Sequence, residues 1–167
     1  MKKMRKAYSG DIMKIVPAIV SAAIVLVALW AVTYYLSVVP AAPTSFSFDN
    51  KTYQFTYVAT TLAQQEAGLM NKTVTNTTFE LFVMPGVSIY PFWMKDTYYP
   101  LDIIWVNGTT VSYIADAVPC SSYSPDQSNC TIYDSYNEGH YANYVIEAQA
   151  GFTNRTGLKV GDRISFG

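Results

Sequence analysis

Residues 15–39 of this 167-residue chain carry no charged side chain, and nothing else in the sequence restricts its fold so strongly. As one α-helix a run of that length extends about 37 Å, enough to cross a hydrocarbon layer of roughly 30 Å with some tilt. Pro17 falls in the first turn, where a missing N–H costs little, and Trp30, Tyr34 and Tyr35 lie toward the far end, where interfacial aromatic side chains collect. Lys2, Lys3, Arg5, Lys6 and Lys14 precede the run against a single acid, Asp11. Residues 1–14 are therefore expected in the cytoplasm, residues 15–39 as a single-pass signal anchor in the cell membrane, and the remainder outside the cell. A cleaved signal peptide ending near Ala41-Ala42 would need an apolar core of only about 7–15 residues. A pilin-like filament subunit processed near Lys6-Ala7-Tyr8-Ser9-Gly10 is a further alternative, which Lys14 and Pro17 fit poorly.

Pro40 and Pro43 stiffen a short linker over residues 40–45. Beyond it, residues 46–167 read as one extracytoplasmic domain. Phe46 and Phe48, then Tyr53, Phe55 and Tyr57, alternate with polar residues around Asp49-Asn50, which predicts a hairpin with one buried face. Thr60 or Thr61 begins a short helix near residues 61–70, with Gly68 close to its end. Phe79, Leu81 and Val83 alternate before Pro85-Gly86, and Asn107-Gly108 between two apolar runs is a hairpin turn signal. Residues 115–143 form a long polar excursion, Tyr144 to Glu147 a further strand, residues 151–157 a turn, and Arg163 to Phe166 a closing strand. The expected fold is mainly β, a β-rich α+β class: a compact, barrel-like antiparallel domain with one short helix.

The central stretch is Pro91 to Val106. Apolar runs at Phe92 to Met94 and Ile103 to Val106 flank a polar hinge that holds Lys95, Asp96, Thr97 and Asp102, with Pro100 forcing a turn or an edge. This predicts strand, turn and strand, with Lys95 paired to Asp96 or Asp102. Trp93, Lys95, Asp96, Thr97, Asp102 and, from the later strand, Glu147 make up a candidate polar pocket. The motif Phe92-Trp93-Met94-Lys95-Asp96-Thr97 followed by Pro100-Leu101-Asp102-Ile103-Ile104 resembles the signature of the family known as domain of unknown function 192. The resemblance continues at Gly68-Leu69-Met70, Pro119-Cys120, Tyr144-Val145-Ile146-Glu147, Ala150-Gly151 and Gly161-Asp162, and covers roughly residues 52–166. Where the family usually carries a Glu-Arg pair this chain has Gln64-Gln65, so no ionic role for that pair carries over. The family has no established reaction, and the resemblance implies a fold neighbourhood only.

Function classes narrow by composition. After the apolar run six basic residues face eleven acidic ones, which leaves no basic surface for nucleic acid. Charged residues are only 14% of the chain, so Tyr, Ser, Thr and Asn must keep the surface wet. Asn50, Asn71, Asn76, Asn107, Asn129 and Asn154 all stand in Asn-X-Ser/Thr sequons, most of them in predicted turns that tolerate a glycan. Together with the topology they suggest an archaeal or other glycosylating cell envelope. Cys120 and Cys130 are the only cysteines, and a disulfide between them would staple the polar excursion. With one histidine, His140, no metal site is expected; no cofactor and no catalytic residue is assigned either. The expected role is an anchored envelope domain that binds or assists a surface glycan or another membrane or surface protein. The rival class is an extracytoplasmic hydrolase that uses Asp96, Asp102 or Glu147 with Lys95, since paired carboxylates suit glycoside hydrolysis at separations of about 5–9 Å.

Overall fold

The computed structural model describes residues 19–34, 41–134 and 139–167. The chain divides into two units, residues 1–41 and 42–167. In the first, residues 19–34 form a helix, α1, whose side chains are exposed; Trp30 stacks on Tyr34 at 5.5 Å. Residues 15–18 and 35–39, the ends of the predicted membrane span, lie outside the described residues. Among the described residues no helix is long and apolar enough to cross a membrane.

Among the described residues the second unit contains ten strands: β1 (Ser45–Phe48), β2 (Lys51–Gln54), β3 (Tyr57–Ala59), β4 (Phe79–Ile89), β5 (Phe92–Trp93), β6 (Leu101–Asn107), β7 (Thr110–Ala117), β8 (Ile132–Tyr133), β9 (Tyr141–Gln149) and β10 (Ser165–Phe166). Helix α2 (Leu62–Ala67) precedes β4, helix α3 (Phe152–Thr156) follows β9, and a 3-10 turn spans Cys120–Ser122. Strands β3, β4, β9, β6 and β7 make a five-stranded sheet in that order; β10, β1 and β2 make a second sheet, and β5 with β8 a third. Every pairing is antiparallel except β3 with β4.

The sheets do not close into the expected barrel, and β6 and β9 show why. Alternate residues of these strands enter two different cores. Ile103, Trp105 and Val145 join Phe82 on one face of the sheet, while Ile104, Val106 and Ile146 join Leu81 on the other. A sheet buried on both faces needs cover on both sides, whereas a barrel has a single packed interior. The second sheet and α3 cover one face, where Phe46, Tyr53, Phe79 and Phe152 meet with ring centroids 5.0–6.0 Å apart. The segment after α2, the β5–β8 pair and the disulfide loop cover the other.

Two further expectations change. Phe92-Trp93 and the run from Ile103 are not partners, because β5 pairs with β8 while β6 lies between β7 and β9. Residues 151–157, read as a turn, contain α3, a helix too short to announce itself by periodicity. The hairpins are as expected: Asp49 and Asn50 both take positive φ, as does Gly108 between β6 and β7.

Candidate functional site

Helix α2 is only six residues long and depends on its ends. Thr61 and Gln64 form a reciprocal capping box, and the Gly68 N–H donates to the Gln64 carbonyl. Gln65 fastens the helix to β4 by donating from Nε2 to the Val83 carbonyl at 2.8 Å. Between α2 and the end of β4 runs a groove of about 220 Å3, walled by Leu62, Met84, Tyr90, Pro91, Phe92 and Trp93, with Gln65 and Glu66 on the helical side. Phe92 is wedged edge-on against Phe82 and Trp105, at 4.9 and 5.7 Å. Trp93 stays 47% exposed.

The groove shares Gln65, Glu66, Phe92 and Trp93 with a recess of about 20 Å3, also lined by Gly68, Leu69, Phe82, Thr97 and Glu147. Glu147 is 4% exposed and its Oε2 has no hydrogen-bond partner among the described residues. Burial, and secondly the neighbouring Glu80, push its carboxyl up to about 8; Lys72 and the Leu69 backbone act in the opposite sense. Glu147 therefore holds its proton at neutral pH. Glu80 lies directly across from it on β4 and is raised by burial as well, but Lys72 stands 3.3 Å away and pulls it back. The Lys72 ammonium also lies 3.9 Å from the centre of the Tyr57 ring.

The six residues of the predicted pocket do not form one site. Trp93, Thr97 and Glu147 line the recess. Asp102 faces the other side of the sheet, wholly buried, and caps α3: Oδ1 accepts from the Gly151 N–H at 3.0 Å, and Oδ2 from the Thr153 N–H and hydroxyl, both at 2.7 Å. Asp102 and Glu147 thus cannot work on one substrate from one cleft; Glu66 and Glu147 are the two carboxylates that line the recess together. Asp96, at φ 51°, is locked to Gln127: its N–H donates to Oε1, and Gln127 Nε2 donates back to Oδ1 at 2.8 Å. Lys95 pairs with neither aspartate; its ammonium stands 5.5 Å from the Trp93 ring. Asp102 is spent on α3, and Asp96 gives its Oδ1 to Gln127 in place of the expected ion pair.

Cys120 and Cys130 form the disulfide, closing a loop with Cα atoms 5.2 Å apart. At the end of the excursion, buried Asp134 accepts from the His140 N–H at 3.2 Å and meets Nδ1 at 2.8 Å, while the imidazole lies flat on Tyr113. All six sequon asparagines are exposed. Among the described residues no group of three or more side chains could hold a metal ion.

The sequence places Gly68 near the end of the helix but gives no site role to it, to Glu80 or to Lys72. The available signal was an acid within an apolar run, Phe79-Glu80-Leu81-Phe82, repeated in Val145-Ile146-Glu147-Ala148. In a strand buried on both faces an acid has no solvent side to occupy.

Residues 47–166 match the family DUF192, described as Uncharacterized ACR. A protein of unknown function from Novosphingobium aromaticivorans is 27% identical, with TM-score 0.59 over 74% of this chain and 84% of that one. A Sinorhizobium meliloti protein described as a candidate transcription regulator is 29% identical, with TM-score 0.60 over 77% of this chain and 96% of that one. No curated protein matches.

Proposed function

The chain belongs to the DUF192 family, and within that family of unknown function we propose that it is an envelope-anchored domain whose α2 groove binds a neutral surface glycan. The observation that carries this reading is the groove itself, an exposed tryptophan among apolar walls beside a recess lined by Glu147, whose Oε2 has no hydrogen-bond partner among the described residues. An aromatic face suits the C–H surface of a sugar ring, and Gln65, Glu66 and Glu147 suit its hydroxyl groups. The groove walls include no cation, which disfavours phosphorylated or acidic ligands. Anchoring is supported by the uncharged run at residues 15–39 with its five preceding cations, and an exterior position by the disulfide and the exposed sequons.

The test is a fluorescence titration of the full-length protein with a panel of neutral oligosaccharides built from hexoses and N-acetylhexosamines. Saturable binding that weakens about tenfold or more in Trp93→Ala is expected, in line with an interface anchor of roughly 1.5–3 kcal/mol. Absence of binding across the panel defeats the reading. Topology has its own test: protease added to intact cells should remove residues 42–167, and protection of that domain would reverse the proposed orientation.

A further inference from the structure

The recess under Gly68 has the size of a single oxygen atom with its hydrogens, about 20 Å3. It adjoins the groove, with Gln65, Glu66, Phe92 and Trp93 lining both, so a small polar group on a ligand in the groove lies close to it. Glycine is required at its rim. A Cβ on Gly68 would come within 3.3 Å of Phe82 Cζ and 3.7 Å of Glu147 Oε2, and its φ of 44° strains any L side chain.

We infer that Glu147 is the hydrogen-bond donor that receives one hydroxyl group of the bound glycan at the closed end of the groove. This rests on the glycan-binding reading above and adds the contact that selects a hydroxyl. Oε2 is buried, unpartnered and next to the recess, an expensive state for a polar atom unless something fills the place. A hydroxyl satisfies both sides, because it accepts from Glu147 and has a proton left to give. Thr97 on the recess wall can take that proton, since its own hydroxyl already donates to the Lys95 carbonyl at 3.2 Å and keeps its lone pairs. A carboxylate on the ligand would bring a further negative charge beside Glu80.

The titratable groups around Glu147 are Glu80 across the ladder on β4, Lys72 held to Glu80, and Glu66 on α2; Lys95 stands over Trp93. None of them replaces Glu147 as a donor in the recess. Lys72 is engaged by Glu80, and Glu80 is not part of the recess lining.

The experiment uses the tightest-binding neutral oligosaccharide of the panel as probe, and full-length protein at about pH 6 and about pH 9. Deprotonation of Glu147 over that interval is expected to weaken binding about tenfold, while Glu147→Gln, which keeps an N–H donor, changes by less than about twofold. The wild-type profile requires no variant to fold. Wild-type affinity that is the same at both pH values, or a Gln variant that falls in parallel with it, overturns the role of Glu147 and leaves glycan binding standing. Failure of every sugar in the panel at about pH 6 overturns glycan binding itself, and the inference with it.

Discussion

Glu80 and Glu147 face each other across the β4–β9 ladder, both almost wholly buried, and among the described residues only Glu80 is in an ion pair, with Lys72 at 3.3 Å. Two like carboxylates at ladder distance cannot both ionise cheaply away from water. The lysine determines which one does: Lys72 favours charge on Glu80, and Glu147 keeps its proton.

Stability should therefore fall as pH rises. The folded-state pKa of Glu147, about 8, lies above the ordinary 4.5, so between those values the native state holds a proton that the unfolded chain releases. The stabilisation is complete below about 4.5 and is lost as pH climbs through 8, by a few kcal/mol at most. Glu80 shifts in the same direction and adds to the slope. Urea unfolding from about pH 5 to about pH 9 measures it, and Glu147→Gln should flatten most of the curve. A wild-type curve that rises over this range would reverse the assignment.

Asp102→Ala should cost about 3 kcal/mol or more, since it leaves the Gly151 N–H and the buried Thr153 N–H and hydroxyl without an acceptor. Thr153→Val, which removes only the hydroxyl, should cost less than half as much. Equal losses in chemical denaturation would mean that Asp102 contributes through something other than these three bonds.

Lys72→Met removes the cation that stands 3.3 Å from Glu80. With Lys72 partly exposed, the expected loss is about 1–3 kcal/mol at neutral pH, diminishing under acid conditions as Glu80 takes up a proton. A loss that grows on acidification would contradict this account.

The six sequons are all exposed, and native protein should exceed the bare polypeptide mass of 18.6 kDa. Intact mass before and after enzymatic deglycosylation measures the difference. A native mass equal to the polypeptide would remove the glycoprotein assignment.

What could be read in the sequence were features whose cause is local. The turns after β1 and β6 need only left-handed backbone at Asp49, Asn50 and Gly108, and the Thr61 cap needs only Gln64. The Cys120–Cys130 bridge followed from cysteine count and setting. What could not be read depends on distant partners. Helix α3 takes its cap from Asp102, some fifty residues earlier, and so both the helix and the duty of Asp102 were hidden together. Alternation on β6 and β9 gives no inside or outside when both faces are buried, and the barrel expectation failed there. Glu147 was singled out, but its neutral state comes from burial under distant elements and from Glu80 across the ladder, which no spacing rule joins to it.

The bond between Cys120 and Cys130 has a reach beyond its own loop. Gln127, inside that loop, holds the backbone and side chain of Asp96, and the Asp96 carbonyl in turn accepts from Asn71, just past the recess residues Gly68 to Met70. Closing a loop of this length stabilises it by roughly 2.5–3 kcal/mol in the chain-entropy view. Where thiols stay reduced, Gln127 loses that restraint and the turn carrying Trp93 to Thr97 is held by fewer ties. The groove is thus coupled to a bond outside its own lining: without the disulfide, the wall that Trp93 contributes keeps its place with one restraint fewer.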